Sequence, residues 1–254
     1  MHWLRLMLDG LWVLTPMLES VLVVAMVRRR VFVRFPVFFA YVVADACFTA
    51  VMFVMDKLPS VSGPAWTRVY FPGLVILSAL QFTVVWEVFD HIFRVHSFLN
   101  RFGKPLFRTA LVAFFLAGIT AAAFTRTHEA YPTMAILHLL QQTASILLVG
   151  LLGSLFIFSA FFGLSWRSFV FGIALGMGSD AAVNLAAAAI KEYFGLSGSI
   201  YLNLLTQGSS NLSVLIWVFY LFMPDTTGGN GNMKNLSQPD LEDWNQELRE
   251  ISRR

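Results

Sequence analysis

Leu8 to Arg30 reads LDGLWVLTPMLESVLVVAMVRRR, and the pattern of this stretch decides the fold. Between Asp9 and the arginine triplet lies an apolar run long enough to cross a hydrocarbon core, which takes about 20 residues of helix for roughly 30 Å. Only a segment that satisfies its own backbone hydrogen bonds persists at that depth, so the run is expected to be helical. Runs of the same kind follow it along the chain. The expected spans are 8–27, 36–55, 69–89, 108–125, 133–159, 169–190 and 200–223. Composition agrees, with 57% hydrophobic residues, 13% charged residues and 25 Phe, a bias that suits lipid-facing helices and excludes an ordinary soluble core. The expected fold class is all-α. It is a polytopic, multi-pass bundle of seven transmembrane helices over residues 1–223, followed by a cytoplasmic tail over 224–254.

Orientation follows from the basic residues. Thirteen of the eighteen Lys and Arg fall on one side: Arg28, Arg29, Arg30 and Arg34 in the first loop, Arg94, Arg101, Lys104 and Arg108 in the third, Arg167 in the fifth, and Lys234, Arg249, Arg253 and Arg254 in the tail. Arg5, Lys57, Arg68, Arg126 and Lys191 fall on the other. The positive-inside rule therefore predicts the N-terminus outside and the C-terminus in the cytoplasm. Basic residues flanking spans meet anionic headgroups first, so the net charge of +3 points to the lipid bilayer as partner and not to nucleic acid. The first span is expected to serve as its own uncleaved insertion signal. Cys47 is the single cysteine and lies within the second span, which excludes an intrachain disulfide or a thiolate metal cluster.

Breakers punctuate the spans. Pro36, Pro72 and Pro132 are read as helix starts, where a missing N–H costs little. Pro16 lies inside the first helix and frees the carbonyl of Trp12, unless a neighbour or the Thr15 hydroxyl compensates. The sixth span carries Gly172, Gly176 and Gly178 and then an alanine-rich half, so it is expected to be the most tightly packed helix.

The residues that lipid ought to exclude carry the functional signal. Glu19, Asp45 and Asp180 sit near the middle of the first, second and sixth spans, and carboxylates at that depth usually face the bundle interior. Asn184 follows Asp180 by one turn; Asn203, Gln207 and Asn211 step by four along the seventh span. His138, Gln141, Gln142 and Ser145 cluster on the fifth, and Gln81 with Ser78 lies on the third. The candidate ligand- or proton-binding set is therefore Glu19, Asp45, Gln81, His138, Gln142, Asp180, Asn184, Gln207 and Asn211. Two readings stay open for it: a cavity that takes a small molecule, ion or proton, or polar groups holding helices together at about 0.6 kcal/mol per contact.

Absences narrow the field. A retinal protein needs a Schiff-base lysine in its last helix, and the seventh span has none. Intramembrane zinc hydrolases and b-type haem bundles need several histidines, whereas His138 is alone within the spans. No metal and no cofactor is expected. Sugar carriers of this size show proline-bearing half-repeats, and no repeat relates the first three spans to the last three. No set of nucleophile, base and orienting group is visible, which places an enzyme last.

The third span ends in WEVFDHIFR, from Trp86 to Arg94. Asp90 with Arg94, and Glu87 with His91, have the spacing of intrahelical pairs, and the aromatic and arginine residues suit anchoring at the headgroups. In the tail, Ser237 is a plausible helix cap. Leu241, Trp244, Leu248 and Ile251 lie at helical spacing on one face, suited to docking on the protein's own basic loops or on a cytoplasmic protein partner.

The segments WEVFDHIF and DLEDWNQELREI resemble recurring stretches of uncharacterised seven-helix integral membrane proteins of Acidobacteria. That resemblance implies the architecture and a home in the bacterial inner membrane, and carries over no activity or ligand. The function expected is a sensor or receptor-like bundle whose interior polar cluster binds a small ligand or proton. A small-solute or proton-coupled transporter is the alternative, and a structural or assembly protein the third.

Overall fold

A computed structural model describes residues 2–58, 62–95, 109, 145–146, 148–150, 152–153, 156, 168–195 and 199–223. Every regular element among them is helical. These are α1 (His2–Arg28), the short α2 (Val31–Arg34), α3 (Pro36–Lys57), α4 (Gly63–Val95), α5 (Phe169–Phe194) and α6 (Ile200–Phe222). All but α2 are long and apolar enough to cross a membrane, so the chain has the make-up of an integral, multi-pass membrane protein. Val21 and Val24 on α1, and Leu215 and Phe219 on α6, stand exposed as residues facing lipid would. α5 and α6 correspond to the sixth and seventh expected spans. The fourth and fifth spans, 108–125 and 133–159, lie outside the described residues except for isolated helical positions, and the tail from 224 lies wholly outside them.

Local chemistry sets the helix ends. Ser168 caps α5 by accepting from the Phe171 amide at 3.3 Å, and Gly195 closes it in the left-handed region at φ 65°. Pro36 occupies the first turn of α3, as expected. Pro72 does not start a helix: α4 begins at Gly63 and runs through Pro72. The apolar run begins near Val69, but the polar turns before it extend the same helix beyond the hydrocarbon, and Pro64 takes the first-turn position. At Pro16 the compensation falls one residue earlier than expected. Both the Thr15 hydroxyl, at 3.1 Å, and the Asn211 side-chain amide, at 3.0 Å, donate to the carbonyl of Leu11.

The five long helices close into a ring, in the order α4, α3, α1, α6, α5 and back to α4. The α5–α6 seam is the closest. A Cβ at Gly172 would run into Tyr220 and one at Gly176 into the Trp217 indole, so these glycines let α6 lie directly on α5. α1 and α6 end, and α3 and α5 begin, at the end of the ring that carries Arg28, Arg29, Arg30 and Arg34. The core concentrates there: Phe38 packs edge-on against Trp217 (5.1 Å between centroids) and Phe169 (5.9 Å), and Phe35 also meets Phe169 (5.6 Å). Leu22, Met26, Val84, Val85 and Ile173 fill in around them, each fully buried.

The basic end is also tied by polar contacts. Glu87 accepts from the Val37 and Phe38 amides at 3.1 and 2.9 Å, while the Arg34 guanidinium contacts His91 Nε2 at 3.2 Å. The spacing of Glu87 and His91 suggested a pair within one helix. Two orphan amides at the start of α3 draw the carboxylate across to another helix instead. The Arg94 side chain lies outside the described residues.

Candidate functional site

A cavity of about 220 Å³ lies within the ring, and all five long helices contribute to its wall. Glu19 comes from α1, Tyr41 and Asp45 from α3, Ser78 and Gln81 from α4, Asp180 and Asn184 from α5, and Ser210, Ser213 and Trp217 from α6; Ser145 and Leu148 also reach it. Glu19, Asp45, Asp180 and Ser210 lie roughly nine to twelve residues from the basic end of their helices, about 14 to 18 Å at the α-helical rise, and Gln81 about one half-turn further. That is near half the thickness of a hydrocarbon core.

Two hydrogen-bonded chains cross the cavity wall. On one side Gln81 Nε2 donates to the Tyr41 hydroxyl at 3.1 Å, and that hydroxyl donates to Asp45 Oδ2 at 3.2 Å. Opposite, Asp180 accepts from the Ser210 hydroxyl at 3.0 Å and from Asn184 Nδ2 at 3.0 Å. Glu19 and Asp45 bring their carboxyls against each other, and Asp180 lies within Coulombic reach of Asp45. Glu19 is 1% exposed, yet its Oε2 has no hydrogen-bond partner among the described residues. Buried polar atoms are rarely left so, because an unmade bond costs the full desolvation of the group. The three carboxyls do not converge closely enough to make a metal site, and no group of three His, Cys, Asp or Glu able to hold a metal ion occurs among the described residues.

No family model, curated protein or solved structure matches this chain. Its chemistry is therefore read from its own residues.

Five of the candidate residues, Glu19, Asp45, Gln81, Asp180 and Asn184, line this one cavity. Gln207 and Asn211 do not. They stitch α6 to α1: Gln207 Nε2 donates to the Thr15 hydroxyl at 2.8 Å, and Asn211 Nδ2 to the Leu11 carbonyl. Asn203 accepts from Lys191 at 2.9 Å, near the far end of the ring. The regular step of four along α6 thus marks its seam with α1, whereas Ser210, Ser213 and Trp217 mark its cavity face. His138 and Gln142 lie outside the described residues.

Sequence reading missed Tyr41 and Trp217. Tyr41 stands one turn before Asp45, and that spacing could have found it. Trp217 gave no local sign, because an indole in an apolar span looks the same against lipid as against a cavity.

Proposed function

We propose that the chain is a receptor-like protein of the bacterial inner membrane, with seven crossings, the N-terminus outside and the C-terminus in the cytoplasm, whose interior cavity binds a small ligand or proton. One observation carries the binding reading: a fully buried carboxylate oxygen of Glu19, without a partner among the described residues, in the wall of a polar cavity at mid-depth. The cavity is far above the ~10–15 Å³ that admits one water and below the ~300–1,000 Å³ of drug-sized pockets, so it suits a solute of a few heavy atoms. A polar cavity at this depth speaks against the purely structural reading.

Parity supports the crossing number. α4 ends and α5 begins at the basic end, so crossings by the intervening chain come in pairs, and spans 108–125 and 133–159 are one such pair. The aromatic cluster of Phe35, Phe38, Phe169 and Trp217 lies between the cavity and the basic end, which the positive-inside rule assigns to the cytoplasm. This aromatic packing on the basic side of the cavity is the ground for preferring reception to carriage. The contacts of Glu87 with α3 and of Arg29 with the Leu221 carbonyl, at 2.8 Å, sit where a change in the ring would be felt.

The test combines topology with access. Reporter fusions after Arg34, Lys57 and Arg254 should read inside, outside and inside. In a Cys47→Ala background, Ser210→Cys should react with a small membrane-impermeant thiosulfonate in right-side-out vesicles and not in inside-out ones. Reaction from both sides would convert the reading to a carrier, and reaction from neither would refute an accessible binding cavity.

A further inference from the structure

The donors and acceptors of the cavity are unequally spent. Tyr41 and Gln81 direct donors along the chain to Asp45, Ser210 and Asn184 direct theirs to Asp180, Ser213 donates to the Gly176 carbonyl at 2.8 Å, and Trp217 Nε1 donates to the Ile173 carbonyl at 3.3 Å. The Ser78 and Ser145 hydroxyls also line the cavity, but the fully buried side-chain atom of its described wall that is left without a partner is an acceptor, Glu19 Oε2, set beside the Asp45 carboxyl. No Lys, Arg or His is among the described lining residues to balance three carboxyls, and the expected spans hold no lysine or arginine in their interior; His138 lies outside the described residues.

We infer that the ligand is a small organic cation, a primary or secondary ammonium, held by Glu19 and Asp45 and walled by Tyr41 and Trp217. This rests on the cavity reading above and specifies its ligand class. An ammonium group brings N–H donors to a wall that presents acceptors, and its charge compensates carboxyls that have no cationic partner among the described lining residues. The rings of Tyr41 and Trp217, edge-on to each other with centroids 6.3 Å apart, both line the cavity and offer the aromatic surface that favours cations. A proton would neutralise the carboxyl pair but makes no use of those rings or of a 220 Å³ space. A metal ion would need ligands converging on one point, which the described residues do not supply.

The experiment compares three probes of similar size on the full chain in lipid nanodiscs: propylammonium, 1-propanol and propionate, each titrated through the millimolar range at matched ionic strength. Thermal unfolding is the readout. Propylammonium should raise the melting temperature where the alcohol and the carboxylate do not. Glu19→Gln should raise its half-saturating concentration roughly thirty-fold or more, as expected on losing one partner of a buried charge pair, and Glu19→Asp should keep the preference for the cation. The comparison of probes on the unmodified protein stands even if a variant fails to fold. Equal or stronger stabilisation by propanol or propionate, or a half-saturating concentration for propylammonium that Glu19→Gln leaves unchanged, overturns the inference and leaves the binding cavity intact. If no probe shifts the transition while Ser210→Cys is still labelled, the ligand class alone is wrong. If neither happens, the cavity reading falls with it.

Discussion

Removing the Glu87 carboxylate should unlatch the start of α3. Phe35, at the N-cap of that helix, makes no side-chain cap, so the first-turn amides depend on Glu87, which accepts from Val37 at 3.1 Å and from Phe38 at 2.9 Å. Hydrogen bonds to a charged acceptor contribute about 1.5–3 kcal/mol each, and an anion at a helix N-terminus adds roughly 0.3–1 kcal/mol. The glutamate is only half-buried, so water replaces part of this; Phe38, fully buried, has the amide least easily rewetted. Glu87→Ala should therefore cost about 2–3 kcal/mol, and Glu87→Gln, which keeps one acceptor oxygen without the charge, about 1–2 kcal/mol. At about 1.4 kcal/mol per tenfold, the alanine variant should exchange the Val37 to Phe39 amides roughly 30- to 150-fold faster. Hydrogen exchange of the nanodisc-embedded protein measures this directly, with the α5–α6 hairpin as the internal reference. A change below about twofold in those amides would show that the first turn of α3 is held by packing alone, and that Glu87 is a bystander.

Two further predictions concern the seams. Gly176→Ala pushes a Cβ into the Trp217 indole and should destabilise the bundle by about 1–3 kcal/mol in denaturant unfolding; Gly208→Ala, which meets nothing within 4 Å, should leave it unchanged or slightly more stable. A double-mutant cycle of Thr15→Val and Gln207→Leu should give a coupling of about 0.6 kcal/mol, with roughly 1.7 kcal/mol as the upper bound for such contacts. Coupling near zero would mean that the 2.8 Å contact is incidental to the pairing of α1 and α6.

The membrane-spanning character of the chain is legible one segment at a time, because hydrocarbon makes a local demand: enough apolar residues in a row, with backbone bonds closed within the helix. No knowledge of neighbours is needed to see it in Leu11 to Val27 or in Ile200 to Phe222. The cost of a carboxylate in lipid is equally local, which is why Glu19, Asp45 and Asp180 stood out. Which of the polar residues would meet was decided only by the ring. Asp180 with Asn184 and Gln207 with Asn211 have the same spacing of four, yet the first pair turns to the cavity and the second to α1. Periodicity states that two residues share a face; it does not state what the face touches. Glu87 shows the same limit, since its spacing to His91 permits a local pair but two orphan amides of α3 compete for the carboxylate and hold it. Trp217 is the extreme case. Its place in the cavity wall depends on Gly172 and Gly176 admitting α6 onto α5, a contact between helices that the indole's own neighbours in the chain do not encode.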